Sequence, residues 1–299
     1  MAYVAPMRLL YITSEMAPFA KTGGLADVLG ALPAQLQRLG HDVRVFVPAY
    51  ASIDRSKYPL SPASDLETLD LHLGPHRYRI NYATAKQPHT GLTVHFVHCP
   101  ALFGRQGIYS SDPDEHLRFL ALSYAALEAC RQQRWAPDLV HCNDWQTGLV
   151  PLALKTIYAR DPVLGRAKSL LTIHNLQYQG RFPAFTIADT RLHAFAGLFH
   201  QDQLRDGVLN YLLHGVLYAD GITTVSPTYS REIPVSYTHL DVYKRQARYP
   251  DRFLCLEVRR DLLVEAYTPF VQMKVRPDAA LRIAAPVAKR IGEWLRERS

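Results

Sequence analysis

Apolar runs of strand length alternate with helical patterns along most of this chain. The first run, Met7 to Thr13, is mostly apolar, as expected of a buried parallel strand. Leucine and valine then recur at helical spacing from Leu25 to Leu39. Pro33 is expected to bend or divide that helix, and Gly40 to end it. A second apolar run, Asp42 to Val47, completes a βαβ unit with a right-handed crossover.

The same alternation continues to about residue 225. Residues 51–75 are polar and weakly patterned, and we expect a surface excursion there. The further predicted elements are a hairpin of strands Tyr78 to Thr84 and Leu92 to Cys99, a helix Asp114 to Arg131, a strand Asp138 to Cys142, a helix from about Trp145 to Tyr158, and strands Ser169 to Ile173 and Ile222 to Val225. This order predicts an α/β fold with a doubly wound parallel sheet.

Polar residues follow three of the predicted strands. Glu15 and Lys21 follow the first strand, Asn143-Asp144-Trp145 follow the strand that starts at Asp138, and His174-Asn175 follow the strand that starts at Ser169. Ligands of doubly wound sheets bind outside the carboxyl ends of the strands. The sequence therefore predicts that these segments meet at one edge of the sheet and form a binding site.

The loop after the first strand has the features of an anion site. Gly23 and Gly24 allow a sharp turn and a close approach of the backbone to a ligand, and Lys21 adds a positive charge. The loop contains neither G-x-G-x-x-G nor a Walker A sequence, which argues against a dinucleotide enzyme and a P-loop protein.

Composition narrows the class of protein. The chain has 299 residues, enough for one large or two ordinary domains, and its four cysteines lack paired spacing, which favours reduced thiols and no metal site. From the N-terminal residues we expect no signal peptide, and no apolar run is long enough to predict a membrane span. From Pro234 onward Lys and Arg number 13 against 8 acidic residues. The basic charge is thus concentrated in the tail, and we expect no nucleic-acid interface.

Residues 14–28 read SEMAPFAKTGGLADV, and this stretch resembles the N-terminal signature of bacterial glycogen synthases and plant starch synthases. Residues 138–148, 171–180 and 210–229 are similar to further segments of that family, although His214 stands where a lysine is usual. The resemblance implies the Rossmann-like N-terminal domain of a GT-B glycosyltransferase. It also implies a cytoplasmic enzyme without a cofactor, which transfers glucose from ADP-glucose to the non-reducing end of an α-1,4-glucan with retention.

The resemblance also implies roles for individual residues. His174 and Asp144 are the expected catalytic residues, with His174 donating a hydrogen bond to a sugar hydroxyl. The expected substrate-binding residues are Glu15, Lys21, Gly23, Gly24, Asp27, Tyr109, Trp145 and Asn175. Alternatives remain open for three of these. Asp144 could be a helix N-cap, Trp145 could belong to the core, and Tyr109 could lie on a mobile surface loop.

The resemblance runs from Met7 to about Ile233, so we expect a first domain over 1–233 and an unassigned tail over 234–299. Residues 234–246 resemble sequences that arise from assembly artefacts, which favours a chimeric junction over a genuine interaction tail. Residues 278–298 have an amphipathic helical pattern. Because family members continue with a second Rossmann-like domain that binds the nucleotide sugar, we expect this chain alone to be inactive. A non-catalytic glucan-binding domain is the alternative function.

Overall fold

The computed structural model describes residues 5–225, 287–289 and 291–295. Within them, nine strands form one sheet, and two short strands, β9 and β10, form a separate antiparallel pair. The strands are β1 (Arg8–Ile12), β2 (Asp42–Pro48), β3 (Ser61–Pro62), β4 (Leu69–Leu73), β5 (His76–Lys86), β6 (Thr93–His98), β7 (Leu139–Asn143), β8 (Lys168–Ile173), β9 (Arg181–Pro183), β10 (Val208–Asn210) and β11 (Gly221–Thr224).

Six α-helices occur within residues 5–225. They are α1 (Gly24–Arg38), α2 (Pro100–Phe103), α3 (Glu115–Gln132), α4 (Val150–Lys155), α5 (Gln201–Arg205) and α6 (Tyr211–Tyr218), and 3₁₀ helices span Trp145–Thr147, Ala184–Thr190 and His193–Leu198. α1 packs against β2, while α3 packs against β1, β2, β4 and β6.

The strand order along the sheet is β11-β8-β7-β1-β2-β6-β5-β3, with β4 added beside β5. The pairs from β11 through to β6 are parallel, and the pairs of β5 with β6, β3 and β4 are antiparallel. Residues 9–12 of β1 are all buried, so both faces of the central strand are covered. The α/β fold with a largely parallel sheet and the antiparallel hairpin are confirmed.

The direction of winding reverses between β1 and β7. The chain builds β1, β2 and β6 toward one side, then returns to place β7, β8 and β11 on the other side of β1. Such a reversal leaves a crevice at the carboxyl ends of the two strands that flank it, because the connections leave in opposite directions. The fold alone therefore points to the ends of β1 and β7 as the place for a ligand.

Helix α1 runs through Pro33 as one helix, so the expected division at this residue is wrong. A proline inside a helix removes one N–H donor from the ladder. In the same turn, Nε2 of Gln87 donates to the carbonyl oxygens of Gly30 (2.7 Å) and Ala17 (3.1 Å). This side chain supplies a donor beside the gap and ties the loop after β1 to the helix.

Two stretches differ from the sequence prediction. Residues 51–75 contain β3 and β4, which pair with β5 and extend the sheet. The helix expected from Trp145 to Tyr158 is replaced by the 3₁₀ turn Trp145–Thr147 and the short α4. Pro151 lies in the first turn of α4, where its missing N–H costs nothing, and it therefore favours a helix start rather than a helix interior.

The tail is described only at residues 287–289 and 291–295, which are helical as the pattern predicts. Val287, Ile291 and Trp294 are buried, and the indole of Trp294 lies against Gly221 at the start of β11. The proposed junction at residues 234–246 and the rest of the predicted tail helix lie outside the described residues.

Candidate functional site

Asn143, the last residue of β7, joins the ends of three neighbouring strands. Its Nδ2 donates to the carbonyl oxygen of Ile12 at the end of β1 (3.1 Å) and to that of His141 (3.3 Å). Its Oδ1 lies 3.1 Å from Nε2 of His174, which follows β8. The crevice where the winding reverses is thus bridged by one buried amide, and the predicted meeting of these segments at one sheet edge is observed.

Asp144 adopts a backbone conformation that is rare for a residue with a side chain, with φ 54° and ψ −167°. Such a conformation costs about 1–3 kcal/mol and is typical of functional sites. Oδ1 of Asp144 accepts hydrogen bonds from the backbone N–H groups of His174 (2.7 Å) and Asn175 (3.2 Å). Asp144 occupies the N-cap position of its 3₁₀ turn, as the alternative had it, but its side chain makes no capping bond there. Burial raises the pKa of this carboxyl to about 7.

The imidazole of His174 is neutral, because burial lowers its pKa to about 3. The amide of Asn143 donates through Nδ2 to two carbonyls, so its Oδ1 is the acceptor and Nε2 of His174 carries the proton. Nδ1 is then an acceptor. In this tautomer Nδ1 of His174 is available as an acceptor, whereas the expectation from the sequence is that His174 donates to a sugar hydroxyl. Asn175 is exposed beside it.

Glu15 is buried behind the glycine loop and is occupied by protein partners. Its Oε2 accepts from the N–H groups of Thr22 (2.6 Å) and Gly23 (3.2 Å), and its Oε1 accepts from Oγ1 of Thr22 (2.7 Å) and the hydroxyl of Tyr109 (2.6 Å). Glu15 therefore holds the loop in place. The N–H of Gly23, which the sequence assigned to an anion, is already used by this carboxylate.

The N-terminus of α1 is open. A Cβ placed on Gly23 or Gly24 would meet no atom within 4 Å. Nζ of Lys21 forms an ion pair of 2.6 Å with Oδ1 of Asp27, in the first turn of the helix, and the two side chains are 35 % and 16 % exposed. A ligand that uses the charge of Lys21 must therefore compete with Asp27 for it.

Tyr109 is anchored at its hydroxyl group, although the residue is 36 % exposed. Besides the bond to Glu15, the hydroxyl lies 2.9 Å from Oγ of Ser14. Ser14, whose carbonyl also accepts from the hydroxyl of Tyr50 (2.9 Å), is a member of this network that sequence reasoning missed. Nothing in the sequence links residues 14 and 109, since they are brought together only by the sheet.

Trp145 lies in a cluster of aromatic rings and is 8 % exposed. Its ring centroid is 5.0 Å from that of Phe119, 5.5 Å from that of Phe182 and 6.4 Å from that of Tyr211. The structure therefore supports the core alternative for Trp145, because the three neighbouring rings leave little of the buried indole for a sugar to stack on.

His214, which stands where the resemblance leads us to expect a lysine, is also buried. One ring nitrogen lies 2.6 Å from the carbonyl oxygen of Asn210, and Nε2 accepts from the N–H of His200 at 3.0 Å. Burial lowers its pKa to about 4, so it adds no charge at neutral pH. Within the residues that the structure describes, no group of three or more metal-ligating side chains is gathered, and no helix has the length and apolar character to cross a membrane.

Fold and site together define a Rossmann-like α/β domain whose polar residues converge where the sheet winding reverses. Residues 8–242 match the family described as the starch synthase catalytic domain. The chain belongs to this family of glycosyltransferases.

Curated relatives agree with this assignment. The chain is 44 % identical over 232 residues to a glycogen synthase of Myxococcus xanthus, a match that covers 76 % of this chain and 48 % of the relative. It is 41 % identical over 235 residues to a glycogen synthase of Syntrophotalea carbinolica, covering 76 % of this chain and 47 % of that protein. The chain thus spans about half the length of the curated relatives it matches.

A solved structure is similar as well. The catalytic domain of starch synthase IV from Arabidopsis thaliana, bound to ADP and acarbose, superimposes with a TM-score of 0.74 at 27 % identity. The match covers 91 % of this chain and 56 % of that one. The similarity is to a GT-B starch synthase domain, as the resemblance implied.

Proposed function

We propose that this chain is the glucan-side part of an enzyme that transfers glucose from ADP-glucose to the non-reducing end of an α-1,4-glucan with retention. The main support for this proposal is that Asp144, His174 and the glycine loop lie at the same edge of the sheet in a starch synthase fold. The related domain of starch synthase IV was bound to ADP and to acarbose. A nucleotide and a glucan-like ligand therefore suit this fold, and the proposal requires no metal or cofactor.

The sugar is assigned to the crevice beside β7 and β8. Nδ1 of neutral His174 accepts a hydrogen bond from a sugar hydroxyl, and the carboxyl of Asp144, held by two backbone N–H groups, offers its second oxygen to another hydroxyl. Asn175 supplies an exposed amide next to them. Groups held this rigidly position the reacting carbon without reorganisation during the reaction.

The diphosphate or the incoming glucan is assigned to the N-terminus of α1. The dipole of α1 favours negative charge at its N-terminus, and the open space at Gly24 allows close approach. Lys21 would exchange Asp27 for a phosphate oxygen. Tyr109, an exposed residue with an anchored hydroxyl, borders the same loop. Trp145 supports the crevice from behind.

We further propose that the 299-residue chain binds glucan without transferring glucose. A leaving diphosphate needs several cationic or N–H partners, and Lys21 is the cation placed at the described loop. Residues 8–242 match the family, while the relatives are about twice as long. The three described cysteines, Cys99, Cys130 and Cys142, are free and buried, which suits the proposed location in the cytoplasm.

Affinity electrophoresis and a radiolabel assay test the two halves separately. In gels that contain glycogen the purified chain should migrate more slowly than in plain gels, and it should move no label from ADP-glucose into glycogen. Unretarded migration would contradict the glucan site. Label in glycogen would contradict the inactivity of the isolated chain and support the transfer reaction directly.

A further inference from the structure

Arg118, in the first half of α3, is a fully buried charge. Its Nη1 donates to Oε2 of Glu115 (2.8 Å), its Nε to the carbonyl oxygen of Leu102 (2.8 Å), and its Nη2 lies 3.5 Å from the carbonyl oxygen of Gly107. The guanidinium is surrounded by the rings of Tyr50, Phe103 and Phe119.

A buried ion pair of this kind is a poor source of fold stability. Removing two charges from water costs about as much as their attraction returns, and apolar pairs of similar volume are often equally stable. A second Arg–Glu pair on α3, Arg131 with Glu128, leaves its arginine 44 % exposed and avoids that cost. The complete burial of Arg118 therefore calls for a role in fixing a conformation.

The Arg118–Glu115 pair holds the segment that connects α2 to α3. Glu115 accepts from the backbone N–H of Ser110 (3.1 Å) and from its hydroxyl (2.7 Å), while Arg118 contacts the carbonyl of Gly107. Gly107 has a φ of 85°, which favours glycine. Tyr109 lies between these two anchored residues.

From Tyr109 the contacts continue to the glycine loop. Its hydroxyl donates to Glu15, and the same carboxylate receives the N–H groups of Thr22 and Gly23. Two sets of hydrogen bonds, connected by the peptide link between Tyr109 and Ser110, thus join the buried guanidinium on α3 to the loop at the N-terminus of α1.

We propose that Arg118 is a positioning residue, which acts through Glu115, Ser110 and Tyr109 to hold Glu15 and so fix the glycine loop. Its consequence for substrate binding rests on the proposed function. The mechanical link does not, because it can be measured on the protein without substrate.

Hydrogen exchange of the intact chain tests the link. The double variant Arg118→Met/Glu115→Met replaces both charges by apolar groups and leaves neither partner buried alone. We expect amide exchange in peptides that cover residues 20–25 to rise about tenfold, while exchange in peptides that cover β1 and β7 stays within about twofold of wild type. Arg131→Met/Glu128→Met, on the same helix, is the matched control and should leave that exchange within about twofold of wild type.

Two single variants locate the effect. Tyr109→Phe removes the hydroxyl that donates to Glu15. It should raise exchange at residues 20–25 as much as the double variant does. Combining all three substitutions should then give no further rise, because they act through the same path. Arg118→Lys keeps the charge opposite Glu115 and should restore exchange to within about threefold of wild type. A role confined to packing would not give this rescue.

Unchanged exchange at residues 20–25 in folded Arg118→Met/Glu115→Met would overturn the proposal. If that double variant does not fold, Tyr109→Phe provides the test. Unchanged exchange at residues 20–25 in Tyr109→Phe would also overturn the proposal. Retardation of the wild-type chain by glycogen is recorded in parallel. Its absence refutes the proposed function alone, whereas the exchange result stands for Arg118.

Discussion

At the residue scale, the site is built from side chains that hold one another before any ligand arrives. Glu15 accepts four hydrogen bonds, from two groups of Thr22, from Gly23 and from Tyr109. The sequence singles out Glu15, Tyr109 and the glycine loop, but it gives no sign that one carboxylate joins all three. That knowledge needs the fold, because 94 residues separate Glu15 from Tyr109.

Asp144 gives a prediction about stability and pH. Burial raises its pKa from 3.8 to about 7, so between these values the native state retains a proton that the unfolded state has released. Wild-type stability should therefore fall as the pH rises through this window. Asp144→Asn lacks this titrating carboxyl, so its stability should not fall for this reason. The free energy of unfolding of Asp144→Asn minus that of wild type should therefore be more than about 1 kcal/mol larger at pH 7.5 than at pH 4.5.

Urea unfolding at the two pH values measures this difference. Asp70→Asn, at an exposed position on β4, is the matched control for exchanging a carboxylate for an amide at the surface. If the free energies of unfolding of wild type and Asp144→Asn change equally between the two pH values, the Asp144 carboxyl is ionised in the native state across this range.

At the element scale, the sequence pattern located the central strands and long helices, and failed where tertiary contacts decide. β4 has the alternation of a half-buried strand, with Leu71 and Leu73 buried and Asp70 and His72 exposed, so its signal was present within a polar stretch. The break before α4 is different. Gly148 packs so tightly on α6 that a Cβ would lie 2.7 Å from the carbonyl carbon of Tyr211, and no local pattern shows that contact.

Substitution of Gly180 tests how tightly the segment after β8 packs against the aromatic cluster around Trp145. Its φ is 60°, and a Cβ there would lie 2.7 Å from Cδ2 of Trp145. Gly180→Ala should cost about 3 kcal/mol of unfolding free energy, through backbone strain and displacement of the indole. Gly207→Ala, with φ 77° and no atom within 4 Å of the new Cβ, should cost about 1 kcal/mol. Equal losses in chemical denaturation would mean that the Trp145 contact is unimportant.

Substitution of Gln87 tests how much its hydrogen bonds contribute to holding the loop after β1 against α1. Its Nε2 donates to Ala17 and Gly30, and its Oε1 accepts from the hydroxyl of Thr90 at 2.7 Å. Gln87→Met keeps the volume and removes all three bonds, so thermal unfolding should show a loss of about 1–3 kcal/mol. Gln37→Met, at an exposed position on α1, should change stability by less than about 0.5 kcal/mol. A neutral Gln87→Met would mean that packing alone seats the loop.

At the scale of the whole molecule, the order of the strands explains why distant segments form one site. β1 and β7 are neighbours in the sheet although more than a hundred residues separate them, and the winding reverses between them. The alternation of elements was enough to predict a parallel sheet with polar residues at its carboxyl edge. It did not give the strand order, on which the bridge through Asn143 depends.

The most direct measurement of the central claim is calorimetric titration of the intact chain with maltoheptaose. Wild type should bind, and His174→Ala should weaken binding at least about tenfold, because it removes the hydroxyl acceptor that Asn143 orients. His72→Ala, at an exposed position on β4, should bind as wild type does. Equal affinity of wild type and His174→Ala, or no binding by wild type, would contradict a glucan site at the edge formed by β1, β7 and β8.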